Sequence, residues 1–213
     1  MTTPNDIQTV LASHSPQKVT AAHGNHAAVA MLLKQANQGI DVLFIRRAEH
    51  EDDPWSGNLA FPGGKIDEED GNPLEAAIRE TQEEIGIDLA RADLIGQLDD
   101  IAGAYLPVTV SCYVFLLSEY EPEMILNEEV RETFWFPLKE LGKPERHQTA
   151  RVNWNNGLRL VPGLDLLGKR GPALWGITYR LVMQFLDLID CASGDCPDKT
   201  QGREHKWRER WNG

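Results

Sequence analysis

The chain has 213 residues, 41% of them apolar and 25% charged. That is enough apolar side chain to pack one sizeable domain, and it excludes a wholly disordered chain. Its net charge of −12 repels nucleic-acid phosphates and anionic lipid, which argues against a non-specific binder of either. A small phosphate-bearing ligand stays open, because a bound divalent cation reverses the local sign.

The first sixteen residues lack a basic start followed by an apolar block, and no run approaches the roughly 20 apolar residues that span a bilayer. The expectation is therefore a cytoplasmic protein with no membrane partner. Cys112 sits in an apolar run and reads as a buried thiol. Cys191 and Cys196 could form a disulfide or half a metal site, with free thiols the preferred reading.

In chain order, Asp6 to Ser13 reads as a short helix. His26 to Leu33 and Asp41 to Arg47 read as strands around an Asn37-Gln38-Gly39 turn, although the first is also compatible with a helix. Glu49 to Pro54 is a charged loop. Gly57 to Phe61 reads as a short strand stopped by Pro62-Gly63-Gly64. A helix then starts at Pro73: Asn72 suits the cap, proline suits the first turn, Glu75 suits a capping box and Gly86 suits the position past the end.

Asp93 to Ile101, Val108 to Leu117 and Thr133 to Phe136 read as strands, the second from its β-branched and aromatic content. Leu138 to Leu141 reads as a short helix. Arg151 to Val161 reads as a hairpin turning at Asn155-Asn156-Gly157, and Pro172 to Ile189 as a long apolar helix. The expected fold is one mixed α/β domain over residues 1–190, an α/β/α sandwich, followed by a polar tail over 191–213.

The helix from Pro73 carries the chemistry. At roughly 100° per residue, Leu74, Ala77, Ile78, Thr81 and Ile85 share a narrow face that should pack on the sheet. Glu80, Glu83 and Glu84 share another side, because residues three and four apart are neighbours. Three carboxylates on one turn repel each other. Arg79 can neutralise one, and a divalent cation more, with carboxylate oxygens suiting Mg²⁺ or Mn²⁺. The preceding Phe61-Pro62-Gly63-Gly64-Lys65 lets backbone approach a ligand closely. The alternative is an ordinary solvated acidic face.

The segment from Gly64 to Ile87 resembles the signature of the Nudix family: Arg79-Glu80, two positions, Glu83-Glu84, one position, then Gly86 and an apolar residue. Its first half has Asp70 where the usual box has glutamate, and one extra residue before Arg79. That lengthened loop is similar to the coenzyme A diphosphatase branch, as are Arg47-Ala48, Gly57, Ala60-Phe61-Pro62-Gly63-Gly64, Asp67 and Leu174-Trp175-Gly176-Ile177-Thr178. Trp55 stands where that branch has histidine.

The resemblance implies that Glu80 and Glu84 bind metal and that Glu83 is a ligand or helps activate water. A carbonyl of Gly63 or Gly64 would complete the shell. Arg79 would orient a carboxylate, and Asp70 would hold the loop or an outer metal. A general base would lie in a later loop, with Glu129 preferred over Glu128 and an ordinary acidic loop as the plain alternative. Arg46 and Arg47 bind substrate phosphate or pair with the acidic loop, and Trp55 stacks on a base or covers the core edge. His23 and His26 have no metal-like spacing. Trp154 and Trp175 fit a core or a dimer interface.

The implied activity is metal-assisted hydrolysis of a nucleoside diphosphate linked to another moiety, with coenzyme A or a derivative first. ADP-ribose, a nucleotide sugar or a nucleoside triphosphate comes next, and a non-catalytic nucleotide sensor is the alternative of another class. The expected partner is a small nucleotide, with a homodimer possible and no nucleic acid.

Overall fold

Near-continuous burial along the central strands sets the architecture, because both faces of the sheet are covered. The computed structural model describes residues 2–19, 25–50, 55–103, 107–118, 122–154, 157–168 and 171–192. The expectations for His23, for the side chains of Trp154 and Cys191, for Asn155-Asn156, for Cys196 and for the tail beyond 192 fall outside the described residues.

In chain order the elements are α1 (Pro4–Ser13), β1 (Asn25–Ala36), β2 (Gly39–Arg47), β3 (Leu59–Ala60), β4 (Gly63–Lys65), α2 (Pro73–Ile85), β5 (Asp93–Gln97), β6 (Ile101–Ala102), β7 (Val108–Leu117), β8 (Val130–Pro137), α3 (Leu138–Leu141), β9 (His147–Trp154), β10 (Gly157–Leu164), β11 (Leu174–Trp175) and α4 (Gly176–Ala192). The main sheet runs β3-β2-β1-β7-β5, with β4 on β1, β6 on β7 and β8 on β2. It is mixed, because β1 and β7 pair in parallel while the other pairs are antiparallel.

Successive side chains of a strand point to opposite faces. Met31, Leu33, Phe44 and Val114 therefore pack with Ile7 and Leu11 of α1 and with Leu181, Val182 and Phe185 of α4. Their neighbours Ala28, Ala30, Leu32, Leu43, Ile45 and Phe115 pack with Ala76, Ala77 and Ile85 of α2. This is the expected three-layer arrangement. A smaller sheet, β11-β10-β9, closes one end.

Several boundaries differ from the sequence reading. β1 is a strand throughout and runs on to Ala36, because its ten-residue parallel register with β7 satisfies its backbone. The Asp93–Ile101 strand divides into β5 and β6. Between them Asp99 and Asp100 leave the sheet's edge to take backbone N–H groups of Gln17 and Val19. The apolar run from Pro172 does not begin as a helix: Leu174 and Trp175 pair with Leu164 and Gly163. α4 starts only at Gly176, where φ is +70°, a backbone conformation natural to glycine.

Candidate active site

The glycines of β4 bring the signature helix onto the sheet. Gly63 pairs with Val29 at φ +141°, and a Cβ there would lie 2.3 Å from the Ala28 carbonyl oxygen. A Cβ on Gly64 would instead stand 2.5 Å from the Glu80 carboxylate. One glycine thus permits strand pairing and the other permits a carboxylate to lie against backbone.

Local chemistry fixes both ends of α2. The Asn72 side chain accepts the N–H groups of Leu74 and Glu75. The expected capping box takes a variant form, in which Glu75 accepts from the Gly71 N–H and the Asn72 amide rather than from the cap's own N–H. Gly86 ends the helix in the left-handed region at φ +73°, its N–H bonded to the Gln82 carbonyl. Close behind, Ile125 and Asn127 donate their N–H groups to the carbonyls of Ile85 and Glu84. The loop before β8 is thereby tied to the acidic turn.

The three glutamates do not share one environment. Glu84 lies seven residues after Ala77, almost two full turns on, so it falls on the face that packs against the sheet. It is 2% exposed, and its Oε2 accepts the Gly63 N–H at 2.8 Å. Arg47 Nη1 stands 3.8 Å from its Oε1. Burial outweighs both contacts and raises its pKa to about 7, with Glu80 and Glu129 pushing the same way. Glu80 is also raised by burial, against the pull of Arg79. Glu83 is the outer member, with a side chain 54% exposed.

Arg79 is the hub of the loop. Its Nε and Nη2 grip Asp70 at 3.0 and 2.9 Å, and Nη2 also donates to the Lys65 carbonyl at 3.2 Å. Nη1 reaches Glu80 at 3.0 Å and Glu83 at 3.1 Å. The bidentate pair lowers the Asp70 pKa and raises that of Arg79 further. Asp67 lies 3.5 Å from the same guanidinium, and its N–H bonds to Asp70. The lengthened loop is therefore held by Arg79 through Asp70.

Strand alternation separates the two arginines. Arg47 follows Ile45 onto the α2 face and meets Glu84, whereas Arg46 faces away and pairs with Glu132 at 3.1 Å, with Glu49 at 4.0 Å. Trp55 packs on Trp175, ring centroids 6.0 Å apart and planes inclined by 40°. Glu129 stands close enough to act electrostatically on both Glu80 and Glu84. Its N–H bonds to the Asn127 side chain and its carbonyl accepts the Ala48 N–H. Asn127 escaped the sequence reading, although an asparagine two residues before the candidate Glu129 is an Asx-turn signal. His26 contacts the Ser111 hydroxyl at 3.2 Å, and Cys112 is fully buried with its thiol pKa pushed up.

The donor set fits a hard divalent cation. All candidate donors are oxygens, and the buried Glu84 and partly buried Glu80 carboxylates repel each other. Among the described residues no three acidic, histidine or cysteine side chains are arranged to hold an ion as they stand. Arg79 contacts Oε1 of Glu80, which leaves Oε2 for a cation while the Arg79 contact is kept.

Fold and site together define a class: an α/β/α domain with an acidic helix seated on a glycine loop, suited to cation-assisted attack on an acid anhydride. Residues 24–155, more than half the chain, match the family model of the NUDIX domain. The chain belongs to the Nudix family of hydrolases, whose enzymes generally use divalent metal ions.

An uncharacterised protein of Schizosaccharomyces pombe is 36% identical over 55% of this chain and 38% of its own length. A probable nudix hydrolase of the same yeast is 26% identical over 86% of this chain and 60% of its own. The chain thus spans less than two thirds of either relative. In fold, it is similar to the crystal structure of a MutT/nudix family protein from Enterococcus faecalis, with a TM-score of 0.54 and 19% identity over 89% of this chain and 70% of that one. Among the described residues no helix is long and apolar enough to cross a membrane.

Proposed function

We propose that the chain hydrolyses the diphosphate linkage of a nucleoside diphosphate joined to another moiety, and that coenzyme A or a derivative is its substrate. The supporting observation is the Asp70 loop. The extra residue and the aspartate that liken this chain to the coenzyme A diphosphatase branch are held on the arginine that also contacts Glu80 and Glu83.

Glu80 and Glu84 would hold Mg²⁺ or Mn²⁺, with Glu83 beside them and the Gly64 carbonyl as a neutral donor. When bound, the cation neutralises diphosphate oxygens and supplies an acidified water. Asp70 fixes Arg79, and Arg79 sets the rotamers of Glu80 and Glu83. Glu129 accepts the proton of the attacking water, and its loop is positioned for this by the bonds from Asn127 and Ile125 to the end of α2. Arg47 lies beside Glu84 and meets the diphosphate at the inner edge. The water oxygen bonds to one phosphorus as that phosphorus loses the bridging diphosphate oxygen, which departs on the other phosphate; for coenzyme A the two products are adenosine 3′,5′-bisphosphate and phosphopantetheine.

The test is a substrate panel with Mg²⁺ and with Mn²⁺: coenzyme A, ADP-ribose, a nucleotide sugar and a nucleoside triphosphate. Turnover of coenzyme A with the highest kcat/KM is expected. Rapid ADP-ribose turnover without coenzyme A turnover overturns the substrate assignment, and no turnover of any of the four overturns the diphosphatase reading.

A further inference from the structure

A second concave region lies outside the acidic turn. A cavity of about 440 Å³ is lined by twelve residues, among them Ser56, Asn58, Gln148, Arg151, Pro172 and Trp175. Five of the twelve, Gly168, Gly171, Pro172, Ala173 and Trp175, lie beyond the stretch matched by the family model. The cavity is thus built on the small sheet and its approach segment, with residues 56 and 58 as the link to the reaction centre. Its volume falls within the roughly 300–1,000 Å³ typical of small-molecule sites.

The lining has a particular chemistry. Trp175 contributes an aromatic wall fixed in place, since its Nε1–H donates to Asn58 Oδ1 at 3.1 Å and Trp55 packs against it. That bond orients the Asn58 amide and leaves its N–H₂ to donate elsewhere. Ser56 accepts the His50 N–H at 2.8 Å, so its own hydroxyl proton remains available. Gln148 adds a second amide with both a donor and an acceptor. Gln148 and Trp175 both pair with Gly163 and so stand on one face of the small sheet, whereas Arg151, three residues on from Gln148, projects from the other.

A planar wall and two amides that offer donor and acceptor groups suit a nucleobase. An aliphatic chain would leave the half-buried Asn58 amide unpaired, at a cost of roughly 1–3 kcal/mol.

The cavity is joined to the reaction centre by one strand. The Asn58 carbonyl accepts the Arg47 N–H at 3.0 Å, and the Arg47 guanidinium stands beside Glu84. Five residues further, the same chain becomes Gly63, a stretch of at most roughly 17 Å even when extended. We propose that this cavity binds the nucleoside part of the substrate, a base with its phosphorylated ribose, while the diphosphate arm reaches Glu84 and Gly63. Binding to the cavity stands by itself, and only its link to turnover rests on the diphosphatase reading.

The test uses the full chain in EDTA, with AMP as the probe, inorganic phosphate and ribose 5-phosphate as controls, and titration calorimetry as the readout. Wild type and Glu84→Gln should bind AMP with the same affinity, and the two controls should not bind measurably. Gln148→Ala should weaken AMP by about tenfold, and Arg151→Ala, on the other face, should leave it unchanged. Both side chains are exposed, so neither truncation removes a buried contact.

AMP should also compete with substrate in wild type and raise its KM, less so in Gln148→Ala. AMP affinity unchanged in Gln148→Ala, absent from wild type at millimolar concentration, or matched by ribose 5-phosphate alone overturns the proposal. Hydrolysis lost across the substrate panel with AMP binding intact overturns the diphosphatase reading and leaves the cavity assigned. Hydrolysis that persists without AMP competition overturns the cavity's role in turnover.

Discussion

The two faces of the main sheet are made from alternate residues of the same strands, yet they do opposite work. Towards α1 and α4 the contacts are apolar, with Phe44, Met31, Val114 and Phe185 buried almost completely. Towards α2 the packing is interrupted by Glu84, a buried carboxylate paired with a backbone N–H and a distant guanidinium. Burying a carboxylate without full compensation opposes folding. The apolar face stabilises the domain enough to hold that unfavourable charge in place, and the charge is where a cation gains most.

The largest effect should separate the faces outright. Glu84→Gln keeps the shape and the acceptor for the Gly63 N–H but loses the charge. It should lower kcat by about 10³-fold or more, since metal-assisted charge stabilisation is worth several kcal/mol. Its melting temperature in EDTA at pH 8 should equal or exceed that of wild type. Full activity in a purified, metal-loaded sample would show that this carboxylate is not a ligand.

On the other face, Phe185→Ala should cost about 3–5 kcal/mol of stability by leaving a cavity, read by denaturant unfolding. The kcat of the fraction that stays folded should match wild type. A drop in kcat larger than the loss of folded protein would mean that the two faces are coupled.

The glycine pair sharpens the contrast within two adjacent residues. Gly64→Ala meets only the mobile end of Glu80, so stability should change by less than about 1 kcal/mol while activity falls by roughly 10²-fold as that carboxylate is displaced. Gly63→Ala meets the Ala28 carbonyl and a strained φ, and should impair folding itself. Soluble yield and specific activity, measured side by side, distinguish the two.

A smaller and graded effect is expected from pH. Burial holds Glu84 at about 7 against its ordinary 4.5. The raised value means that the folded state favours the protonated form. Its stabilising contribution is complete below about 4.5 and is lost as pH rises through 7, on the order of 3 kcal/mol at most. Melting curves in EDTA should show this decline, and Glu84→Gln should abolish it. Because the ligand must be deprotonated, Mn²⁺ affinity should rise with pH across the same window, and a flat calorimetric profile would contradict the assignment.

Much of this was legible in one dimension. The helix over 73–85 announces itself by Asn72, Pro73 and Gly86, signals that act within a few residues and require no tertiary partner. The acidic turn is equally local, and with the glycine pair it carries the family resemblance. What remained hidden depends on pairing partners far along the chain. Leu174 and Trp175 look helical by composition and become a strand only because β10 offers an unpaired edge. The Asp93–Ile101 run looks continuous and divides because a distant segment near Gln17 claims Asp99 and Asp100. Arg46 and Arg47 are indistinguishable as neighbours, and the sheet alone sends one to Glu84 and the other to Glu132.

By itself, then, the order of residues determines which groups are available: three glutamates on one turn, an arginine beside them, and a glycine pair upstream. Tertiary structure decides what each can do. It buries Glu84 while leaving Glu83 in water, because packing on the sheet selects one side of the helix. It also brings Trp175 against Asn58, 117 positions apart in the chain. Burial, and with it the pKa of a carboxylate, depends on what lies across the interface, which local sequence does not contain.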